Sequence, residues 1–265
     1  MARNVTGCGI LLLLAAGFGW TQQAEKNPFT RFEDIAEGRR LYRLDCVNCH
    51  GMEGKSGRGA RLASKFRRHG SSDSEMFRTI SDGIPGTEMP GLWRDAEAVW
   101  KILAFVRTLE ESGTEACVAG DGDPRKGRAL FSNKGSCAAC HTVGMGGGRL
   151  GPDLSFVGAI RSHDYLLDSL IDPGKDIPPR HRTVRLVDAQ GGRFEGVLLN
   201  EDGYTVHMLD RGERIRSFVK ADLRQLEKPK ESLMPGYGRL LDETEMSDLI
   251  AYLCSLTGPD VRAAR

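Results

Sequence analysis

The chain has almost no charge of one sign to spare: its 37 Lys and Arg face 36 Asp and Glu, a formal net charge of +1 over 265 residues. That balance argues against a general nucleic-acid binder. With a charged fraction of 28% and a mean hydropathy of −0.35, wholesale disorder is excluded as well. Long hydrophobic runs are missing beyond the first twenty residues, so no later segment is expected to cross a membrane. What remains is a chain long enough for two or three small domains with buried cores.

The first twenty residues read as an export signal. Arg3 supplies a basic start, Val5 to Ala16 form an apolar stretch too short to span a bilayer comfortably, and Gly17 and Gly19 around Phe18 suit signal peptidase. Residues 1–19 are therefore expected to be a cleaved signal peptide, with an uncleaved anchor as the alternative. The body is expected to lie outside the cytoplasm, in the periplasm. Cys8 has no apolar run before it and does not suit a lipoprotein site.

Of the 7 cysteines, four fall in Cys46-Val47-Asn48-Cys49-His50 and Cys137-Ala138-Ala139-Cys140-His141. C-x-x-C-H is the signature of covalent haem attachment. Two thiols three positions apart reach the two vinyl groups of one porphyrin, while the adjacent histidine turns under the iron. Zinc sites and thioredoxin-like pairs also use C-x-x-C, but zinc needs four ligands gathered in one place. Random placement gives roughly 0.004 such matches per chain, so two are not chance. Two haems are expected, on Cys46 and Cys49 and on Cys137 and Cys140, with His50 and His141 as iron ligands.

The two halves repeat. Gly38-Arg39-Arg40-Leu41-Tyr42 precedes the first motif and Gly127-Arg128-Ala129-Leu130-Phe131 the second. Each reads as a short helix, the first started by a capping box of Thr30 and Glu33. Downstream, Met89-Pro90-Gly91-Leu92-Trp93-Arg94 is echoed by Met234-Pro235-Gly236-Tyr237-Gly238-Arg239, each before an amphipathic helix, about 95–109 and 242–256. Most methionines are core fillers. Met89 and Met234 stand apart because each follows a haem motif in a Pro/Gly loop at the same place in the repeat. They are expected to be the sixth ligands, soft donors that raise the reduction potential.

On these residues the chain resembles class I cytochromes c, over about 30–111 and, with an interruption, 124–257. The resemblance implies that the helices flanking each site cross near the haem edge, which the Gly38/Tyr42 and Gly127/Phe131 pairs suit. It also implies that a proline carbonyl in a Gly-Pro-x-Leu segment orients the histidine. Gly151-Pro152-Asp153-Leu154 matches; the first half has Gly59-Ala60-Arg61-Leu62, and the group that holds His50 is left open.

His50 and Met89 lie 39 positions apart but His141 and Met234 lie 93 apart, so the second unit carries about 54 extra residues. Four segments, 183–187, 193–199, 204–209 and 214–219, alternate aliphatic and polar residues between Gly-containing turns, the pattern of strands. The second half thereby resembles a family of haem-binding domains common in planctomycete and acidobacterial proteins, with a β insertion before the distal methionine. The expected fold is mainly α: two cytochrome c domains of class I type joined by a linker at 112–123, the second interrupted at about 178–228 by a small antiparallel meander or SH3-like barrel. The insertion reads as a cover over one haem face in preference to a docking module.

Lys55, Arg58, Arg61, Lys65, Arg67 and Arg68 form a basic run without an acid between Gly54 and Ser72, read as solvated surface before a docking patch. His69, His163, His181 and His207 do not recur between the halves and read as ordinary histidines. Cys117 and Cys254 are left over and could pair in an oxidising compartment. The resulting expectation is a periplasmic electron carrier between redox proteins of unknown identity. The alternatives are a dihaem peroxidase-like enzyme and a cytochrome subunit of a larger dehydrogenase or oxidase.

Overall fold

The computed structural model describes residues 26–55, 57–64, 68–112, 117 and 119–258. The expected signal peptide, and Lys65 and Arg67 of the basic run, lie outside the described residues. The helices are α1 (Phe32–Asp45), α2 (Val47–His50), α3 (Asp73–Asp82), α4 (Ala96–Ser112), α5 (Pro124–Ser132), α6 (Val157–Ile160), α7 (His163–Ile171) and α8 (Glu243–Ser255). Strands β1 (Thr142–Val143) and β2 (Gly146–Gly147) form a two-residue ribbon. Strands β3 (Thr183–Asp188), β4 (Arg193–Glu201), β5 (Thr205–Asp210), β6 (Ile215–Val219) and β7 (Leu223–Glu227) form one antiparallel sheet in the order β6-β5-β4-β3-β7.

The start of α1 differs from expectation. Thr30 lies outside the helix; Arg31 is the N-cap, and its backbone N–H donates to the Asp34 carboxylate at 3.3 Å. The box has moved one residue, because any acid at the third helical position can reach back to the cap amide. At α8 the box is complete: Asp242 accepts from the Glu245 N–H at 2.9 Å and Glu245 from the Asp242 N–H at 3.0 Å.

Each half is organised by one helix crossing. In the first, a Cβ on Gly38 of α1 would sit 1.9 Å from the Lys101 carbonyl oxygen of α4, so only glycine lets the backbones meet. In the second, a Cβ on Gly127 of α5 would sit 1.9 Å from the Asp248 carbonyl oxygen of α8. One turn on, the same ring pair closes each crossing: Tyr42 meets Phe105 edge-on at 5.1 Å, and Phe131 meets Tyr252 edge-on at 5.4 Å. Around these contacts lie two separate cores, one with Leu41, Ile102, Leu103 and Val106, the other with Leu166, Leu170, Leu249 and Leu253.

The expectation of a mainly α chain holds only in part: helix is 39% and strand 17%, and the sheet has five strands where four were expected. Strands β3 to β6 are a meander, and β7 returns to pair with β3, Leu186 opposite Leu226. One face of the sheet has its own small core of Val184, Leu186, Val206 and Met208. The other face presents the cross-strand pair Val197 and Leu209, which packs on Leu150, Cys140 and Leu233. Period-two alternation gives the insertion two apolar faces, one kept to itself and one turned to the second haem motif.

Candidate haem sites

The first motif begins where α1 ends. Cys46 caps α1, and the single turn α2 carries Cys49 and His50, with the His50 N–H donating to the Cys46 carbonyl at 2.9 Å. In the second motif a 3₁₀ turn, Cys137–Ala139, does the same, and the His141 N–H donates to the Cys137 carbonyl at 2.9 Å. The four motif thiols are free, and His50 is 8% exposed.

Both imidazoles are held alike. The Nδ1–H of His50 donates to the Ala60 carbonyl at 2.7 Å, and that of His141 donates to the Pro152 carbonyl at 2.8 Å. A carbonyl can only accept, so the bond assigns the proton to Nδ1 and leaves Nε2 as the nitrogen that could ligate a metal. The preceding glycines pack on the rings: a Cβ on Gly59 would lie 2.7 Å from the His50 Nδ1, and one on Gly151 2.5 Å from the His141 Cε1. Their N–H groups donate to the Cys49 and Cys140 carbonyls at 2.6 and 2.7 Å. The question left open at His50 is answered by Ala60: the acceptor is a main-chain oxygen, and no proline is required to supply one. That Gly59 aligns with Gly151 was the available signal.

The methionine loops are tied back to the motifs by different side chains. Arg94, five residues after Met89, bonds Asp45 beside Cys46 at 2.6 Å. Tyr237, three residues after Met234, donates to the Gly135 carbonyl at 2.6 Å and lies 3.9 Å from the Cys137 Sγ. Met234 itself packs in the same cluster as Cys137 and Leu154, so the 54-residue detour returns the chain to its motif. Met89 is half-buried. Neither Arg94 nor Tyr237 was singled out from the sequence as a tie, because their partners lie far along the chain.

The insertion reaches the second motif by three routes. Val197 and Leu209 cover Cys140. Glu213, in the turn between β5 and β6 with φ of 57°, accepts from the Arg149 N–H at 2.6 Å. His181 holds the Leu150 carbonyl through Nδ1 at 3.2 Å. Burial lowers the pKa of His141 against the raising effect of its Pro152 bond, which favours the neutral imidazole that a metal requires. Burial likewise lowers that of His181. His163 and His207 have ordinary partners, Asp164 and Ser217.

Three described members of the basic run are paired. Lys55 pairs with Glu53, Arg58 with Glu88 at 3.4 Å and Arg68 with Asp153 at 3.7 Å, acids brought in mostly from elsewhere in the chain. Cys117 and Cys254 form a disulfide, which fastens the segment between the units to α8. Among the described residues, no group of three or more His, Cys, Asp or Glu is placed to hold a metal ion by itself. Two thiols, one carbonyl-bound imidazole and a glycine-lined ring flank in each motif fit a covalently held porphyrin.

Two family models match the chain: subunit III of cbb3-type cytochrome c oxidase over residues 33–106 and cytochrome c over residues 124–202. The cbb3-type cytochrome c oxidase subunit CcoP of Azospirillum brasilense is 25% identical over 135 residues, 45% of this chain and 43% of that protein. The chain thus spans less than half the length of that oxidase subunit. Cytochrome c55X of Paracoccus denitrificans is 35% identical over 106 residues, 38% of this chain and 95% of that protein. A solved structure from the Kuenenia stuttgartiensis reducing HAO-like protein complex Kustc0457/Kustc0458 overlaps 83% of this chain and 96% of its own at 17% identity, with a TM-score of 0.24, too low to establish a common fold. With a cytochrome model on each half and one cytochrome matched over nearly its whole length, the chain belongs to the cytochromes c and carries two cytochrome c domains.

Proposed function

We propose that the chain is an exported electron carrier with two haems. Cys46 and Cys49 hold one by thioether bonds and Cys137 and Cys140 the other; His50 and His141 are the proximal ligands, Met89 and Met234 the distal ones. The observation that carries the reading is the paired proximal bond, 2.7 Å at His50 and 2.8 Å at His141, each with a glycine against the ring. When bound, haem supplies a one-electron ferric/ferrous couple.

The chain's own residues then do three things. The Ala60 and Pro152 carbonyls orient the imidazoles and raise their basicity. The insertion partly covers Cys140 through Val197 and Leu209. The two proximal segments adjoin: Asp153 beside Pro152 pairs with Arg68, and the Arg61 N–H donates to the Ile160 carbonyl at 2.9 Å. That proximity favours electron exchange between the sites. Export to the periplasm rests on residues 1–19 and on the chemistry of the motif, and no helix among the described residues is long and apolar enough to cross a membrane.

The likeness to oxidase subunits favours a second reading, a cytochrome subunit serving a larger enzyme. The two share one test. Intact mass and the alkaline pyridine spectrum of protein from a host that makes c-type cytochromes are expected to give two haems per chain; one haem or none sinks the proposal. Spectroelectrochemical titration of the wild type beside Met234→Ala is expected to show a lowered potential for one haem, and unchanged spectra and potentials would refute that ligand. Stable co-purification with an oxidase or dehydrogenase would move the choice to the subunit.

A further inference from the structure

The first unit lacks the proline that stiffens the carbonyl facing His141, yet its bond to His50 is as short. Ala60 is exposed, and nothing in its own side chain fixes the peptide. The stiffening comes from the other unit. Arg161, at the end of α6, places Nη1 2.8 Å from the Gly59 carbonyl oxygen and 3.5 Å from that of Gly57, and it also donates to the Arg58 carbonyl. One guanidinium nitrogen therefore faces three successive carbonyls immediately before Ala60, its two N–H groups placed for charge-assisted bonds to those of Arg58 and Gly59. On the far side of Ala60 the Arg61 N–H donates to the Ile160 carbonyl at 2.9 Å. The peptide that accepts from His50 is thus held at both ends by residues 160 and 161.

Arg161 is itself held. Its guanidinium lies over the Tyr165 ring, 4.2 Å from the centroid, and the Tyr165 hydroxyl donates to Asp176 at 2.8 Å. The bond pattern inside the loop is the same in both units up to this point. The Gly59 and Gly151 amides donate to Cys49 and Cys140; beyond that, the main chain of the first unit is bonded by residues 160 and 161, whereas the second unit meets its neighbour through the Asp153 side chain and Arg68.

We propose that Arg161 is a positioning residue for His50, replacing across the interface the rigidity that Pro152 provides within the second unit. The inference rests on the haem reading, since it concerns the ligand of the first haem. It makes the first haem conditional on the second unit and leaves the second haem independent of that clamp.

The test compares wild type, Arg161→Ala, Arg161→Lys and the double variant Arg161→Ala/Ala60→Pro in the ferrous holoprotein. The readout is hydrogen exchange of the two imidazole Nδ1 protons by NMR, with the potentials of both haems measured beside it. Arg161→Ala is expected to speed exchange at His50 by about tenfold or more, the effect of losing charge-assisted bonds, and to leave His141 within about twofold. The potential of the first haem shifts and that of the second holds. Arg161→Lys recovers part of the protection, having charge but no fork.

Ala60→Pro is expected to restore protection in the double variant. The flanking Gly59 and Arg61 amides carry the main-chain bonds, so the proline removes neither. Unchanged exchange at His50, equal acceleration at both histidines, or no rescue by the proline each overturns the inference. A wild type without haem absorbance overturns the haem reading and this inference with it; two normal haems with unmoved exchange overturn the inference alone.

Discussion

In the second unit the carbonyl that accepts from His141 belongs to a proline; in the first, the carbonyl that accepts from His50 belongs to an exposed alanine, and the two bonds differ by 0.1 Å. One unit obtains the geometry covalently, through a ring that fixes its own backbone. The other obtains it from outside, through a guanidinium 102 residues from Gly59 and the carbonyl of Ile160 beside it. The methionine loops differ in the residue type of their ties, the Arg94–Asp45 pair in one unit and the Tyr237 hydroxyl in the other, each within its own unit. A ligand's geometry is therefore specified by where an acceptor lies, and several residue types can put it there.

The comparison breaks hardest at the disulfide. Cys117 and Cys254 are 137 residues apart in sequence, and replacing both by alanine is expected to cost about 2–5 kcal/mol. The loss should fall on the second unit, so that thermal unfolding followed at the haem bands splits into two transitions; a single unshifted transition would deny the bridge a role. Without reductant, alkylation should leave the wild-type mass unchanged at these two sulfurs.

The helix crossings come next. Gly38→Ala and Gly127→Ala each drive a Cβ into a carbonyl oxygen, and each is expected to cost about 1–3 kcal/mol or more in denaturant unfolding. Equal costs would show that the two crossings remain equivalent, whereas a tolerated Gly127→Ala would show that the second has diverged. A smaller effect is expected of Pro152→Ala. It keeps the carbonyl and loosens the chain by at most about 1 kcal/mol, with faster Nδ1 exchange at His141 and no change at His50; slower exchange would contradict the role given to the ring.

The smallest effect concerns pH and the insertion alone. Asp210 accepts from the Gly212 and Arg214 amides and faces the Arg214 and Arg216 guanidiniums, and these bonds, the Arg214 amide first, lower its pKa to about 2. Because the folded value lies below the unfolded one, this stability is present above about pH 4 and fades as pH falls toward 2. Far-ultraviolet circular dichroism should show β-sheet signal weakening over that window, less steeply in Asp210→Asn. An identical acid profile for the variant would remove Asp210 from the account.

Much of the site could be read from the residue order because its chemistry is local. The two C-x-x-C-H motifs, the Met-Pro-Gly echoes and the alternation of β3 to β6 are each written within a few residues. Strand β7 was missed for a physical reason: in Leu223-Arg-Gln-Leu-Glu227 the two leucines are three apart, which breaks the period of two, and the strand forms because β3 offers it an edge. The start of α1 slipped by a residue because Glu33 and Asp34 are both acids and only the backbone decides which one reaches the cap. Arg58 and Arg68 looked unopposed because Glu88 and Asp153 lie elsewhere in the sequence.

By itself, the sequence determined that two haem motifs exist, that each has a repeated methionine loop, and that the second unit is opened by a β segment. These follow from spacing along a chain of fixed covalent geometry. The tertiary structure alone decided which carbonyl holds His50, which acids answer the arginines, and which face of the sheet lies on Cys140. A backbone oxygen carries no signature in sequence, and contacts between distant segments exist only once the chain has closed on itself.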